Sequence, residues 1–251
     1  MCATCGCSGG TLLEHHDHDH EHGHGHDHGH PETRTVTLEQ AVLARNDALA
    51  ELNRTWLAEH GILAVNLMSS PGAGKTSLLE RTARELAGRI TVSVIEGDQE
   101  TSLDAQRILG AGSQVVQINT GAGCHLDAEM VERGLRALDP PGGSIVAIEN
   151  VGNLVCPALF DLGEGARVVL ASVTEGADKP LKYPHMFRQA DLVLLNKTDL
   201  LPYVDFDTAR YAADVRKVSP GAVMLRLSAT TGDGVSKWHD WLRRRIPAPP
   251  A

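Results

Sequence analysis

Ser69-Ser70-Pro71-Gly72-Ala73-Gly74-Lys75-Thr76 decides how the rest of this chain is read. An apolar run over 62–68 precedes it and reads as a buried strand. An amphipathic stretch over 77–87 follows it and reads as a helix, with Leu78, Leu79 and Leu86 near one face. Strand, glycine-rich turn, Lys-Thr and helix together make the P-loop arrangement. Backbone N–H groups of the turn and the helix N-terminus point at phosphates, and the helix dipole favours the anion. Gly72, Ala73, Gly74, Lys75, Thr76 and Ser77 are therefore candidate nucleotide-binding residues. Lys75 reaches the β- and γ-phosphates, and the Thr76 hydroxyl ligates Mg²⁺. Ser69 stands where the usual pattern has its first glycine.

Outward from this turn, apolar runs alternate with amphipathic stretches. Strands are expected over 62–68, 91–96, 114–119, 145–149, 167–172, 192–195 and 223–227. Helices are expected over 77–87, 101–109, 127–138, 208–217 and 235–244. This alternation predicts an α/β fold: a P-loop NTPase with a mainly parallel seven-stranded sheet and helices on both faces. Ligands of such sheets sit at the carboxyl ends of the strands.

The remaining signals fall at those ends. Glu96-Gly97-Asp98 closes the second strand, and Asp98 is expected to reach the phosphate-bound Mg²⁺. Glu149-Asn150-Val151-Gly152 closes the fourth and takes the place of a D-x-x-G, with glutamate for aspartate. Glu149 fits Mg²⁺ or its waters, and Gly152 lets the backbone approach a γ-phosphate. Asn196-Lys197-Thr198-Asp199 closes the sixth. N-K-x-D selects guanine: the Asp199 carboxylate accepts from the guanine N1–H and N2–H₂, and adenine would leave that polar pocket unpaired. Ser228-Ala229-Thr230 resembles the loop that backs the base. The four signals lie in order, each after a strand, which points to GTP. Lys75, Thr76, Asp98 and Glu149 form the candidate catalytic set, with Mg²⁺ on Thr76, Asp98 and Glu149.

Metal-ligating types form three groups. Asn119-Thr120-Gly121-Ala122-Gly123-Cys124-His125 follows the third strand, and Cys156 lies four residues beyond Gly152. Two strand ends of one sheet bring Cys124, His125 and Cys156 to the same edge, and two thiolates with one imidazole suit Zn²⁺ or Ni²⁺. The segment that would sense a γ-phosphate thus also carries a metal ligand. At the N-terminus, Cys2, Cys5 and Cys7 can converge on one soft or borderline metal, with the α-amino group as a further ligand. Nine of the thirteen histidines lie between 15 and 30: His15, His16, His18, His20, His22, His24, His26, His28 and His30. They alternate with Asp, Glu and Gly and show no apolar periodicity, so this tail reads as disordered when metal-free and as a reservoir of weak sites.

Composition bounds the function classes. With 251 residues and 42% hydrophobic content, one α/β domain plus an appendage is expected. A net charge of −9 argues against nucleic acid as main partner. No apolar run has the ~20 residues of a membrane span, and no secretory signal is visible. Five cysteines without such a signal suit metal ligation or free thiols in a reducing, cytoplasmic compartment. The expected division is a metal-binding tail over 1–34, a helix over 35–60 packing on the G domain, the G domain over 61–247, and a short tail over 248–251. That helix is expected over 37–60, opened by a Thr37/Gln40 capping box, with Leu38, Val42, Leu49, Leu52 and Trp56 on its packing face.

Taken together, Cys2-Ala3-Thr4-Cys5-Gly6-Cys7, the 69–76 turn with its serine, Glu96-Gly97-Asp98, Gly123-Cys124-His125, the run from Glu149 to Cys156-Pro157, Thr174-Glu175-Gly176, the run from Lys179 to Pro184, and Asn196-Lys197-Thr198-Asp199 closely resemble the HypB family of hydrogenase nickel-incorporation GTPases. The resemblance spans essentially the whole chain. It implies a dimerising class of P-loop GTPase that includes the signal-recognition particle GTPases. It implies nickel delivery to the large-subunit precursor of [NiFe]-hydrogenase, with the nickel-binding accessory protein HypA as partner. It also implies nickel at the N-terminal cysteines in some members, Zn²⁺ or Ni²⁺ at the Cys-His-Cys set near or across a homodimer interface, and nickel storage by His-rich tails. The related urease nickel-insertion GTPases are the neighbouring alternative; Cys2 to Cys7 and Cys156 favour the hydrogenase branch. No catalytic glutamine or arginine finger is obvious, so slow intrinsic turnover is expected.

If storage and hydrolysis reside in separate parts, deleting residues 1–34 will lower bound nickel several-fold and leave GTP hydrolysis unchanged. Metal analysis and phosphate release check this, and a collapse of hydrolysis would refute the division.

Overall fold

A computed structural model describes residues 31–98, 103–121 and 123–247. The Cys2, Cys5 and Cys7 group, the histidines from His15 to His30 and the 248–251 tail lie outside the described residues.

The long helix α1 (Pro31–Glu59) leads into strand β1 (Leu63–Ser69), whose seven residues are all buried. Helix α2 (Lys75–Leu86) and β2 (Val92–Asp98) follow, then α3 (Leu103–Gly110) and β3 (Gln114–Asn119). Next come α4 (Ala128–Leu138), β4 (Ile145–Glu149) and β5 (Ala166–Ser172). Two short helices, α5 (Lys179–Lys182) and α6 (Pro184–Arg188), precede β6 (Leu192–Asn196). The chain closes with α7 (Thr208–Val218), β7 (Val223–Arg226) and α8 (Val235–Arg243).

All seven strands are parallel, in the order β3-β2-β4-β1-β5-β6-β7. A parallel sheet covered on both faces buries both sides of its strands, and β1, β2, β4 and β6 are buried along all or nearly all of their length. One core layer joins β1, β2 and β5 to α2 and α8 through Leu67, Leu79, Val94, Val168, Trp238 and Leu242. On this face Trp238 donates its indole N–H to the Thr82 hydroxyl of α2 (3.0 Å). The opposite face carries α4 against Ile95, Val146 and Ile148, and α6 and α7 against Val193 and Leu195.

The expected strands and helices of the G domain are found, with ends shifted by one or two residues. The first helix departs from expectation. It begins at Pro31, so Thr37 lies inside it and does not cap it. Its buried face is only partly the expected one: Trp56 packs on the core and Leu49 is half-buried, but Val42 is 50% exposed and Leu52 66% exposed, while Asn46, Ala50, Asn53 and Leu57 are buried. The cause is polar docking. Asn53 Nδ2 donates to the Ala128 and Leu162 carbonyls (2.9 and 3.0 Å). Asn46 Nδ2 donates to Asp161 O (2.8 Å), and its Oδ1 accepts from Ala128 N (3.0 Å). Arg54 adds an ion pair to both oxygens of Asp161. The two asparagines bind main-chain groups at the start of α4 and in the loop before β5, among them the Ala128 N–H, which as a first-turn donor has no partner within its helix. Among the described residues, no helix is long and apolar enough to cross a membrane.

Asn53→Leu would remove both buried hydrogen bonds, to the Ala128 and Leu162 carbonyls. It should cost about 1–3 kcal/mol in denaturant unfolding.

Candidate functional site

Beyond β1 the chain turns through Gly72 (φ 74°) and Gly74 (φ 101°), both in the left-handed region where a side chain is strained. At Gly74 there is also no room: a Cβ would lie 2.6 Å from Asn196 Nδ2. Helix α2 starts at once with Lys75, so its first N–H groups have no partner within the helix. This is the strand–turn–helix expected from 69–76.

The turn forms the floor of a cleft of about 520 Å³ at the carboxyl ends of β1, β2 and β4. Gly72, Gly74, Lys75, Thr76, Ser77, Asp98, Glu149, Gly152 and Lys197 line it, as the sequence led one to expect. Ala73 is fully buried beneath, and Asp199, Ser228 and Ala229 lie outside the lining. Lys75 Nζ donates to Ser69 Oγ (2.9 Å), so the serine in place of the first glycine holds the lysine head. Burial lowers the Lys75 pKa, opposed by the charge of Glu149. Thr76 Oγ1 donates to Glu149 Oε1 (2.8 Å).

Glu149 faces Glu96 in the β2–β4 register. Both are buried, and one oxygen of each (Oε2) has no hydrogen-bond partner. Burial and the neighbouring carboxylates Glu149, Asp104 and Asp98 push the Glu96 pKa up to about 8. Burial also raises that of Glu149, against the pull of Lys75 and Thr76. Acceptor oxygens without donors, beside a threonine hydroxyl and Asp98, are the donor set of a hard divalent cation. Mg²⁺ fits these residues.

Two functional candidates were missed by sequence reasoning. Glu96 was passed over for its neighbour Asp98. Arg107 lines the cleft from α3, with Nη2 on Ser77 Oγ (3.2 Å) and Glu80 Oε2 (3.0 Å), and Nη1 on Asp104 (3.3 Å). Strand parity would have marked Glu96, since Glu96 and Asp98 share a face. Nothing local marks Arg107, because it reaches the cleft only through the placement of α3 on α2.

Beside the P-loop, Asn196 ties two loops together. Its Nδ2 donates to Ala73 O (2.9 Å) and its Oδ1 accepts from Ala229 N (3.0 Å). Lys197 takes a left-handed φ of 60° and donates from Nζ to Gly72 O (2.8 Å), laying its stem along the turn. One Asp199 oxygen (Oδ1) is buried without a partner, as an acceptor kept for an incoming N–H donor would be. Ser228 Oγ accepts from Thr231 N (3.0 Å) and shapes the loop that carries Ala229.

The segments that follow β3 and β4 also meet, beyond the end of β2 that lies between the two strands. One ligand atom from each of Cys124, His125 and Cys156 lies within 4.8 Å of the others. Cys124 Sγ is 3.7 Å from His125 Nδ1, and Asn153 Nδ2 lies 3.6 Å from Cys156 Sγ. His125 stacks on Phe160 (centroids 3.9 Å apart), and burial lowers its pKa, which keeps the imidazole neutral as a metal ligand must be. Three such donors suit a tetrahedral ion with its fourth position open. Gly152 joins this cluster to the cleft: a Cβ there would lie 3.0 Å from Pro71 Cα, so the turn after β4 touches the P-loop itself.

A parallel sheet with this turn, these strand-end carboxylates and N-K-x-D defines a P-loop nucleotide-binding domain of the GTPase class. The family model described as "CobW/HypB/UreG, nucleotide-binding domain" matches residues 63–226. The hydrogenase maturation factor HypB of Rhizobium leguminosarum bv. viciae is 54% identical over 211 residues, covering 84% of this chain and 71% of that protein. A crystal structure of HypB from Archaeoglobus fulgidus is 41% identical at a TM-score of 0.76, covering 81% of this chain and 100% of that one. HypB from Helicobacter pylori, crystallised in complex with nickel, is 35% identical at a TM-score of 0.75 and covers 82% of this chain and 99% of that one. The chain belongs to the HypB family of hydrogenase maturation P-loop GTPases.

Glu96 ionises near pH 8 in the metal-free fold, against an ordinary value of 4.5. Its contribution to stability is therefore intact below pH 4.5 and is lost as pH rises through about 8. Without nucleotide or Mg²⁺, Tm should fall across that interval. Glu96→Gln should flatten the slope, and an unchanged slope in the variant would refute the shift.

Proposed function

We propose that this chain is a GTP-hydrolysing nickel metallochaperone that stores nickel and inserts it into the [NiFe]-hydrogenase large subunit. The observation that carries the reading is the shared hardware of β4. Cys156 of the Cys-His-Cys cluster lies four positions beyond Gly152, which touches the P-loop. The family's role in hydrogenase maturation and the nickel complex of the Helicobacter pylori relative supply the cargo.

In this reading, Gly72, Ala73, Gly74, Lys75, Thr76 and Ser77 take the phosphates. Lys75 exchanges Ser69 Oγ for the β- and γ-oxygens. Asp199 selects guanine, with Lys197, Ser228 and Ala229 around the base and Asn196 bracing the pocket. Thr76, Glu149 and Asp98 would hold Mg²⁺, which when bound neutralises charge on the phosphates. Gly152 approaches the γ-phosphate. Among the described residues no glutamine lines the cleft, and intrinsic turnover is slow in this reading. Cys124, His125 and Cys156 bind Ni²⁺ or Zn²⁺, and the open fourth position admits a transferring ligand. Cys2, Cys5, Cys7 and the histidines from His15 to His30 capture and store nickel in a tail ending near residue 34. The G domain over 61–247, with its preceding helix, works as a homodimer with a HypA-type partner.

The test is made in a strain lacking this gene and supplied with Cys124→Ser/Cys156→Ser chain. GTP hydrolysis of the purified variant should stay within about twofold of wild type, while nickel in the hydrogenase large subunit falls at least about tenfold; these are the signs of separable chemistry and cargo. Urease nickel should not change. Full hydrogenase nickel from the variant, or loss from urease alone, would overturn the reading.

A further inference from the structure

We propose that Asn150 is the positioning residue that passes the state of the nucleotide cleft to the Cys124, His125 and Cys156 cluster. The inference rests on the nickel-switch reading above and names the side chain through which the two sites speak.

Asn150 follows β4 and is buried. Its Oδ1 accepts two main-chain N–H groups at once, from Leu126 (3.1 Å) and from Val151 (3.0 Å). Leu126 is the residue after His125. Val151 is the residue before Gly152, the one that packs on Pro71 of the P-loop. A single amide oxygen thus holds the metal loop and the γ-phosphate loop, and both of its lone pairs are used. The side chain is itself anchored. Its Nδ2 donates to Asn66 Oδ1 on β1 (3.3 Å), and Asn66 Nδ2 donates to Glu164 Oε1 (3.2 Å). Glu164 is fixed in turn by Leu162 N (2.8 Å) and Arg167 Nε (2.7 Å).

A second contact ties the same metal loop to the cleft from the other side. Leu126 is fully buried against Gly97, and a Cβ at Gly97 would lie 2.7 Å from Leu126 Cγ. Gly97 separates Glu96 from Asp98, two of the cleft's carboxylates. The main chain of Leu126 is therefore held by the segment after β4, and its side chain is seated on the end of β2. Buried N–H groups do not give up an acceptor cheaply. A shift of Val151 when the γ-phosphate arrives or leaves must turn the Asn150 amide, carry Leu126 with it, and change the spacing of Cys124 and His125 relative to Cys156.

The test measures Ni²⁺ affinity by thiolate-to-nickel absorbance in full-length chain carrying Cys2→Ala, Cys5→Ala and Cys7→Ala, so that only Cys124 and Cys156 report. Kd is taken with GDP and with a non-hydrolysable GTP analogue. The parent should show a ratio of at least about fivefold between the two states, the lower end of ordinary allosteric coupling. Asn150→Ala should bring that ratio to within about twofold of unity. Asn66→Ala, which removes the anchor but leaves the Asn150 Oδ1 acceptor and its two N–H donors in place, should keep most of it. A role limited to stability would change Kd equally in both states. Should Asn150→Ala fail to fold, amide exchange in the parent decides: exchanging GDP for the analogue must alter 150–152 and 124–127 together. A parent ratio of one overturns the nickel-switch reading and this inference with it. A parent ratio preserved in Asn150→Ala, or exchange that changes at 150–152 alone, overturns only the role of Asn150.

Discussion

Glu96 and Glu149 lie opposite each other on adjacent parallel strands, buried and each with one oxygen left over. Two carboxylates so placed repel, and burial deprives them of water's screening. The fold can carry them because Lys75 and the Thr76 hydroxyl stand beside them and because a further cation can join. β1 lies between β4 and β5, so its turn delivers Lys75 and Thr76 to this pair.

β3 and β4, the two neighbours of β2 in the sheet, lead into the segments that carry sulfur and imidazole. β3 leads to Cys124 and His125, and β4 leads through Gly152 to Cys156. Coupling between two sites needs packed elements, because a free loop absorbs displacement without transmitting it. Here the loops are pinned. Gly152 leaves no space against Pro71, Leu126 leaves none against Gly97, and Asn150 bridges them. Helix α1 braces the outside of this region, since its Asn46 and Asn53 hold the start of α4, just beyond the metal loop.

Much of this was legible from residue patterns. Strands buried on both faces announce themselves as apolar runs, and each chemical signal sat at the end of one. The turn at 69–76 depends on glycine conformations and a Lys-Thr pair that are local properties. N-K-x-D is local in the same sense, and Asn196 proved to brace the P-loop as well as the base loop. Helix α1 was misread because helical spacing weighs every apolar residue alike. Val42 and Leu52 fit the period yet face solvent, whereas two asparagines are buried because main-chain groups 75 to 115 positions away need them. Arg107 escaped notice for a related reason: its place in the cleft depends on how α3 lies against α2.

The residues by themselves determined the chemistry available: phosphate-cradling amides, a lysine and threonine for the phosphates and their cation, a carboxylate for guanine, thiolates and imidazoles for soft metals. These follow from side-chain type and short-range backbone freedom. The tertiary structure alone decided adjacency. Strand register placed Glu96 against Glu149, brought Cys156 within ligand distance of Cys124 and His125, and set Asn150 between the two loops. Register and packing are long-range, fixed by the burial of whole faces at once, and no window of sequence contains them.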